Sequence, residues 1–239
     1  MTQHNILNLF FAEIGIMKDL QENIISSVNQ NKYDTYIYGD KGFKVLFAGN
    51  SITKHGLKPE VGWNRECGMA ASSVEKDYVH LFMKKVREEY RSDASFAIAQ
   101  VANYERSLNA EALKTYEFAK EYKPDVLIMF FGANVSKDHD TDPALTEKFR
   151  AAYEDMRNYL KSENTLVFHS QGFYIRPVLD EQKEKVAKKY GDTFINIENI
   201  RNREETHGMF NHPGDLGMEE IADAFWKAVK PLLPPVGDK

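Results

Sequence analysis

Short apolar runs alternate with stretches of helical periodicity along most of this chain, and that alternation limits the fold more than any other feature. Apolar runs typical of buried strands cover residues 43–48, 95–101, 126–131, 165–169 and 193–197. Helical patterns cover residues 69–91, 110–122, 143–160, 181–190 and 218–229. Strands that alternate with helices form a parallel sheet with helices on both faces. The sequence therefore predicts an α/β domain around a five-stranded parallel sheet.

The N-terminal part of the chain has a different pattern. Residues 1–30 carry apolar residues at helical spacing, and residues 34–39 are typical of a short edge strand. We expect an N-terminal helical extension over 1–40, followed by the main domain over 41–239. Three alternatives remain for the helices of the extension: a lid, an arm that makes a homodimer, or a helix packed on the outside of the sheet.

Composition and charge limit the partners and the compartment. The chain has 31 Lys and Arg against 36 Asp and Glu, a formal net charge of −5. This argues against a nucleic acid or an anionic membrane as partner, because both require a basic surface. Cys67 is the one cysteine, so an internal disulfide and a multi-cysteine zinc site are excluded. Glu13 interrupts the N-terminal apolar stretch and no apolar run reaches about 18 residues, so we expect a soluble cytoplasmic protein.

Three clusters of small and polar residues lie where catalytic groups are expected, at residues 49–51, 131–135 and 211–215. The first two follow predicted strands, and ligands bind at the carboxyl ends of parallel strands. The third lies in the loop after the last strand and should share that edge, so Ser51, Asn134 and His212 can converge. A serine hydroxyl needs a base to attack at neutral pH, and histidine is the usual base. An asparagine amide and backbone N–H groups can stabilise the resulting oxyanion.

The segments that carry these residues resemble the motifs of the SGNH (GDSL-like) hydrolases. The first block is Gly49-Asn-Ser-Ile, with Asn50 where many members have Asp. Gly68, Gly132-Ala-Asn and His212-Pro resemble the later blocks, and all four occur in the family's order. The resemblance implies a flavodoxin-like three-layer α/β/α sandwich and a hydrolase of the esterase type.

The resemblance also implies a role for each residue. Ser51 would be the nucleophile, and His212 would be the base that takes its proton. The Ser51 N–H, the Gly68 N–H and the side-chain amide of Asn134 would stabilise the oxyanion of the tetrahedral intermediate. No metal or organic cofactor is required.

One position departs from the family's pattern. Members usually have an Asp three residues before the histidine, and Met209 stands there in this chain. Glu205, seven residues before His212, is one candidate for the acid that orients the imidazole. A backbone carbonyl could hold Nδ1–H instead, which would leave a Ser-His dyad, or the chain could be a catalytically impaired module that binds a carbohydrate or a partner. The other family residues are present, which favours an enzyme, because catalysis can survive loss of the orienting acid at a reduced rate.

The segment before Gly68 suggests the substrate. Residues 62–72 resemble a bacterial subgroup that is linked to carbohydrate esters, and Trp63 could stack on a sugar ring or cover the core beneath its loop. Arg65 could bind the carboxylate of an acidic sugar, and Asn50 adjoins the nucleophile. We therefore expect a serine ester hydrolase that removes small acyl groups, such as acetyl, from a carbohydrate or another small ester. A lipid ester or an acyl thioester is the alternative substrate.

Other polar groups have simpler structural interpretations. Residues 137–142 hold three carboxylates and a histidine, but a solvated loop is favoured over a cation site. His169 is expected in the core, His207 is a weaker candidate base than His212, and Lys183 belongs to a solvated basic helix face. A nucleotide or FMN binder is a further alternative, although no Gly-x-Gly-x-x-Gly loop follows the first strand of the domain.

Overall fold

One six-stranded sheet organises the computed structural model, which describes residues 34–235. The strands are β1 (Thr35–Tyr38), β2 (Lys44–Gly49), β3 (Ser95–Gln100), β4 (Val126–Phe130), β5 (Leu166–Ser170) and β6 (Thr193–Ile195). They lie in the order β1-β3-β2-β4-β5-β6. Strands β2 to β6 are parallel, and β1 runs antiparallel to β3 at the edge. The predicted parallel sheet is confirmed, and β1 is the short edge strand expected at 34–39.

Helices cover both faces of this sheet. Within residues 34–235 they are α1 (Tyr78–Glu89), α2 (Ala102–Ser107), α3 (Glu117–Glu121), α4 (Pro143–Leu160), α5 (Pro177–Tyr190), α6 (Glu198–Arg201) and α7 (Asp215–Val229). Helices α1 and α7 pack together on one face, and α4 and α5 pack together on the other. The molecule is therefore a three-layer α/β/α sandwich, as the sequence predicts.

Strand β2 separates two hydrophobic clusters, because successive side chains of a strand point to opposite faces. Val45 and Phe47 belong to the cluster beneath α1 and α7. Leu46 and Ala48 belong to the cluster beneath α4 and α5. All four side chains are fully buried. Burial on both faces explains why this strand reads as a continuous apolar run rather than an alternating one.

The predicted helix over 69–91 is wrong in its first third, since α1 begins at Tyr78. The Asp77 side chain caps this helix by accepting a hydrogen bond from the His80 N–H at 2.8 Å. The segment before it is a loop followed by a 3₁₀ turn at Val74–Lys76, and in this loop Ala70 has a φ of 80° and Ser73 is extended. Apolar spacing alone therefore predicts too early a start. The predicted helix over 110–122 is likewise divided, with a 3₁₀ segment at Ala110–Tyr116 before α3.

The described residues include only the end of the predicted N-terminal extension. Residues 1–33 and 236–239 lie outside the described residues, and so do the helices predicted over 1–30. Strand β1, which a domain boundary at residue 41 leaves in the extension, pairs with β3 from Thr35 opposite Ala99 to Tyr38 opposite Phe96. This strand is therefore part of the sheet. Between residues 34 and 235, every helix is too short or too polar to cross a bilayer.

A matched pair of leucine substitutions tests the burial of β2. Leu46→Ala should lower the free energy of unfolding by about 2–5 kcal/mol, because it opens a cavity between the sheet and α4. Leu232→Ala, at a side chain that is half exposed, should lower it by less than about 1 kcal/mol. Urea unfolding followed by circular dichroism measures both values. Equal effects of the two substitutions would contradict the described core.

Candidate active site

Ser51 lies in the tight turn that ends β2. The Asn50 carbonyl accepts hydrogen bonds from the Thr53 N–H at 2.9 Å and the Lys54 N–H at 3.0 Å, and these bonds close the turn. Gly49 is required at its start, because a Cβ there would lie 1.8 Å from Thr53 Oγ1. The turn leaves the Ser51 side chain half-buried at the carboxyl edge of the sheet.

The structure brings Ser51 and His212 together from opposite ends of the domain. Ser51 Oγ lies 2.8 Å from His212 Nε2, although 161 residues separate the two in sequence. The loop before α7 holds the histidine in place. The Gly208 N–H donates to the His212 carbonyl at 2.6 Å, and the His212 N–H donates to the Met209 carbonyl at 3.0 Å.

Two neutral oxygens contact the other ring nitrogen of His212. The hydroxyl of Tyr174 lies 2.8 Å from Nδ1, and the carbonyl oxygen of Phe210 lies 3.1 Å from it. A carbonyl can only accept a hydrogen bond, so its approach places the ring proton on Nδ1. Nε2 is then free to accept the proton of the Ser51 hydroxyl, which is the tautomer that a general base requires.

The Phe210 carbonyl reaches the ring because of an unusual backbone. Phe210 and Asn211 both adopt the left-handed conformation, with φ of 56° and 59°. For a bulky residue such as Phe this conformation costs free energy, and such residues persist where the surrounding structure or the function demands them. Here the conformation turns the Phe210 carbonyl toward the imidazole of His212.

Burial sets the protonation of this pair. It lowers the pKa of His212 below the ordinary value of a histidine. The hydrogen bond with the Phe210 carbonyl opposes that shift, and the neighbouring His55 adds to it. Burial also raises the pKa of Tyr174 to about 12. His212 is therefore a neutral base at physiological pH, and Tyr174 is a neutral phenol.

Glu205 is not the orienting acid that the sequence suggests. Its carboxylate lies 3.1 Å from Arg203 Nε on the surface of the loop, and the side chain is exposed. The position beside His212 Nδ1 is taken by Tyr174, which follows β5 at the same edge of the sheet. The Phe210 carbonyl agrees with the backbone carbonyl expected from the sequence as an alternative partner of Nδ1. Tyr174 was missed because only acids and backbone carbonyls were considered there, although a polar residue in the loop after β5 was a usable signal.

Gly68 has a different partner from the one its motif implies. Its N–H donates to the Asp77 carboxylate at 3.1 Å, and Asp77 is the same residue that caps α1. The glycine is required by close packing, since a Cβ at this position would lie 2.4 Å from the Ile52 carbonyl oxygen. This part of the expected oxyanion hole is therefore corrected: the structure directs the Gly68 N–H to Asp77.

Asn134 follows β4 and lies half-buried at the same edge. Its Nδ2 donates to the carboxylate of Glu105, and its Oδ1 accepts from Arg106 at 3.2 Å. A side-chain amide carries two N–H donors, and the contact with Glu105 uses one of them. The second N–H can serve the oxyanion, as the sequence predicts. Glu105 itself was not found from the sequence.

The structure buries two of the three residues expected to bind substrate and leaves Arg65 on the surface. Trp63 is 0% exposed and packs in the core beneath its loop, so it cannot stack on a sugar. Arg65 lies on the surface with its guanidinium 5.6 Å from the centre of the Trp63 ring. Asn50 is buried, and its Nδ2 donates to Glu105 at 3.0 Å. The structural interpretation of Trp63 is the correct one.

The histidines set aside in the sequence have structural roles. His207 Nε2 lies 2.9 Å from the Arg201 carbonyl oxygen, which ties its loop to α6 and excludes His207 as the base. His169 is buried between Tyr153 and Asp192, as expected for a core histidine.

The charged segments set aside in the sequence differ in outcome. Asp140, in the acidic segment, pairs with Arg176 at 2.8 Å, and no cluster of metal-binding side chains occurs among the described residues. Lys183 differs from its prediction, since its side chain is buried and pairs with Asp180 at 2.9 Å.

Comparisons with known proteins identify the fold. No protein-family model and no curated protein match the sequence. Among solved structures, the esterase EstA from Pseudoalteromonas sp. is similar at a TM-score of 0.52 and 14% identity, over 80% of this chain and 98% of that one.

Two further solved structures agree with EstA. TesA has a TM-score of 0.51 at 15% identity, over 80% and 99% of the two chains. A protein described as a GDSL-like lipase from Bacteroides uniformis has a TM-score of 0.50 at 14% identity, over 79% and 96%. The motifs predicted this likeness, and the chain has the fold of the SGNH/GDSL-like hydrolases.

Proposed function

We propose that this protein is a serine ester hydrolase that acts through a Ser51-His212 dyad. The observation that carries the proposal is the 2.8 Å contact between Ser51 Oγ and His212 Nε2. A histidine whose other nitrogen donates to fixed acceptors presents a basic nitrogen to the hydroxyl, which is the arrangement that activates a serine.

The geometry supports a two-step reaction. Ser51 Oγ attacks the ester carbonyl while His212 Nε2 takes the hydroxyl proton, and a tetrahedral oxyanion forms. The free N–H of Asn134 and the Ser51 N–H stabilise that oxyanion. Collapse of the intermediate breaks the ester C–O bond, and His212 returns the proton to the leaving alcohol. Water, activated by His212, then hydrolyses the acyl-enzyme and frees Ser51.

Apolar side chains in the loops around the dyad favour a substrate with an apolar group. The expectation of a carbohydrate acetyl ester depended on the resemblance of residues 62–72 to one subgroup and on Trp63, which is buried and gives it no support. Nine large apolar side chains are exposed within residues 34–235. Five of them lie in the loops that carry Ser51, His212 and Tyr174, and a sixth lies in the first turn of α7. These six are Leu57, Val61, Ile175, Met209, Phe210 and Leu216. Phe210 is 49% exposed and lies two residues before His212, where its ring can contact an acyl chain.

Replacement of Ser51 tests the function itself. The wild-type protein should hydrolyse p-nitrophenyl esters and react covalently with a fluorophosphonate, because both need an activated serine. Ser51→Ala should lose both activities, while Ser73→Ala, outside the site, should keep them. Intact-protein mass spectrometry and release of p-nitrophenol are the measurements. A wild-type protein that neither turns over nor becomes labelled would favour the binding module.

Replacement of Tyr174 tests how the histidine is oriented. Tyr174→Phe removes one neutral hydrogen bond to Nδ1, worth about 1 kcal/mol, so kcat/KM should fall about fivefold. The effect is small because the Phe210 carbonyl remains as an acceptor. Glu205→Gln should leave kcat/KM unchanged, because the Glu205 carboxylate lies on Arg203. If only the Glu205 variant lost activity, Glu205 would be the orienting acid that the sequence suggests.

A series of acyl chains tests the substrate class. Each methylene group that becomes buried contributes about 0.8 kcal/mol, so kcat/KM should rise at least about tenfold from p-nitrophenyl acetate to hexanoate. Phe210→Ser should reduce this preference for hexanoate while changing acetate hydrolysis little. A preference for acetate in the wild-type protein would instead support the small acyl esters, including those of carbohydrates.

A further inference from the structure

A buried glutamate lies directly behind the predicted oxyanion donor. Glu105, in α2, is 1% exposed. Its Oε1 accepts hydrogen bonds from Asn50 Nδ2 at 3.0 Å and from the Gly132 N–H, and its Oε2 accepts from Asn134 Nδ2. A single carboxylate therefore receives three N–H donors from the ends of two neighbouring strands.

These three contacts orient the groups that surround the reaction. Asn50 belongs to the turn that carries Ser51, while Gly132 and Asn134 belong to the turn after β4. A side-chain amide is planar, so fixing one N–H of Asn134 on Glu105 also fixes the direction of the other N–H. Glu105 thereby sets the position of the oxyanion donor relative to the nucleophile, without touching the substrate.

A negative charge so close to an oxyanion needs compensation, and the structure supplies it. A Cβ at Gly132 would lie 3.3 Å from Lys183 Nζ, so this buried ammonium group lies next to the turn that contacts Glu105. Lys183 pairs with Asp180 at 2.9 Å, and Asp180 pairs with Arg201 at 2.6 Å. The negative charges of Glu105 and Asp180 are thus offset by the positive charges of Lys183 and Arg201 beneath the site. The three N–H donors also stabilise the negative charge of the Glu105 carboxylate, since hydrogen bonds to an ionised group are strong.

We propose that Glu105 is a positioning residue, which holds the Asn134 amide in the direction that stabilises the oxyanion. This inference rests on the proposed function, because an oxyanion forms only if Ser51 attacks a carbonyl. It adds a residue that acts through Asn134 and that has no counterpart among the motifs recognised in the sequence.

The test is a double-mutant cycle on p-nitrophenyl ester hydrolysis. Glu105→Gln keeps the size of the side chain but replaces one acceptor oxygen by an NH₂ group, which faces N–H donors. The kcat should fall about 10- to 100-fold with KM changed less than about twofold, because the oxyanion donor is misaligned and substrate binding is not. Asn134→Ala should lower kcat about 100-fold or more. In the Asn134→Ala background, Glu105→Gln should cost less than about twofold further, since the group it positions is already absent.

Matched controls separate positioning from folding. Glu111→Gln makes the same chemical change at an exposed side chain that pairs with Lys114, and it should leave kcat unchanged. If Glu105→Gln does not fold cooperatively in a thermal melt, Glu105→Asp carries the same cycle, because it keeps the charge but shortens the side chain. The Asp variant should show a smaller fall in kcat, again abolished by Asn134→Ala.

The possible outcomes also distinguish this inference from the proposed function. A wild-type protein without turnover and without labelling of Ser51 overturns the function. An active wild-type protein whose Glu105→Gln variant keeps the wild-type kcat overturns the positioning role. Independent, multiplicative losses in the double variant would overturn it as well, because they would show that Glu105 does not act through Asn134.

Discussion

The parallel register of β2 and β4 is the constraint on which the site depends. Gly49 lies opposite Phe130, so the turns that carry Ser51 and Asn134 leave the sheet side by side. Strand β2 is buried on both faces, and a one-residue shift of its register would move each side chain into the cluster on the opposite face and disrupt the packing of both. The hydrophobic core therefore fixes the spacing of two functional groups, while His212 reaches the same edge from the loop before α7.

Most of the fold follows from local patterns in the sequence. The apolar run of β2 reflects burial on both faces of the strand, and the helical periodicity of α4 reflects burial on one face of the helix. Both patterns can be recognised within a short stretch of sequence. The start of α1 cannot be recognised in this way. Residues 69–76 have helical spacing, but Asp77 uses its side chain as a cap, and Gly68 and Ala70 lie in a loop packed on the nucleophile turn. The residue at which the helix begins is therefore set by tertiary contacts, which the spacing of apolar residues does not reveal.

The sequence predicts only those site residues that belong to a motif or follow the end of a strand. Ser51, Asn134 and His212 were expected to converge, and the structure brings them to one edge. The contacts of Tyr174 with His212 and of Glu105 with Asn134 join segments 38 and 29 residues apart. No motif marks either contact, because a tyrosine in a loop and a glutamate in a helix usually have solvent or core roles. Side-chain direction, which separates these cases, appears only in three dimensions.

Because the partners of His212 are neutral, the site should respond differently to pH and ionic strength than a site with an orienting carboxylate. A carboxylate that orients a histidine loses its charge as the pH falls toward about 4, and its attraction weakens as salt is added. A phenol and a main-chain carbonyl do neither, so the orientation of His212 has no acid limit of its own and is insensitive to ionic strength. Burial lowers the pKa of His212, and its two neutral partners lack the negative charge with which a carboxylate would raise it. The base therefore stays unprotonated to a lower pH than an ordinary histidine, but it holds the serine proton less tightly than a histidine paired with an acid would.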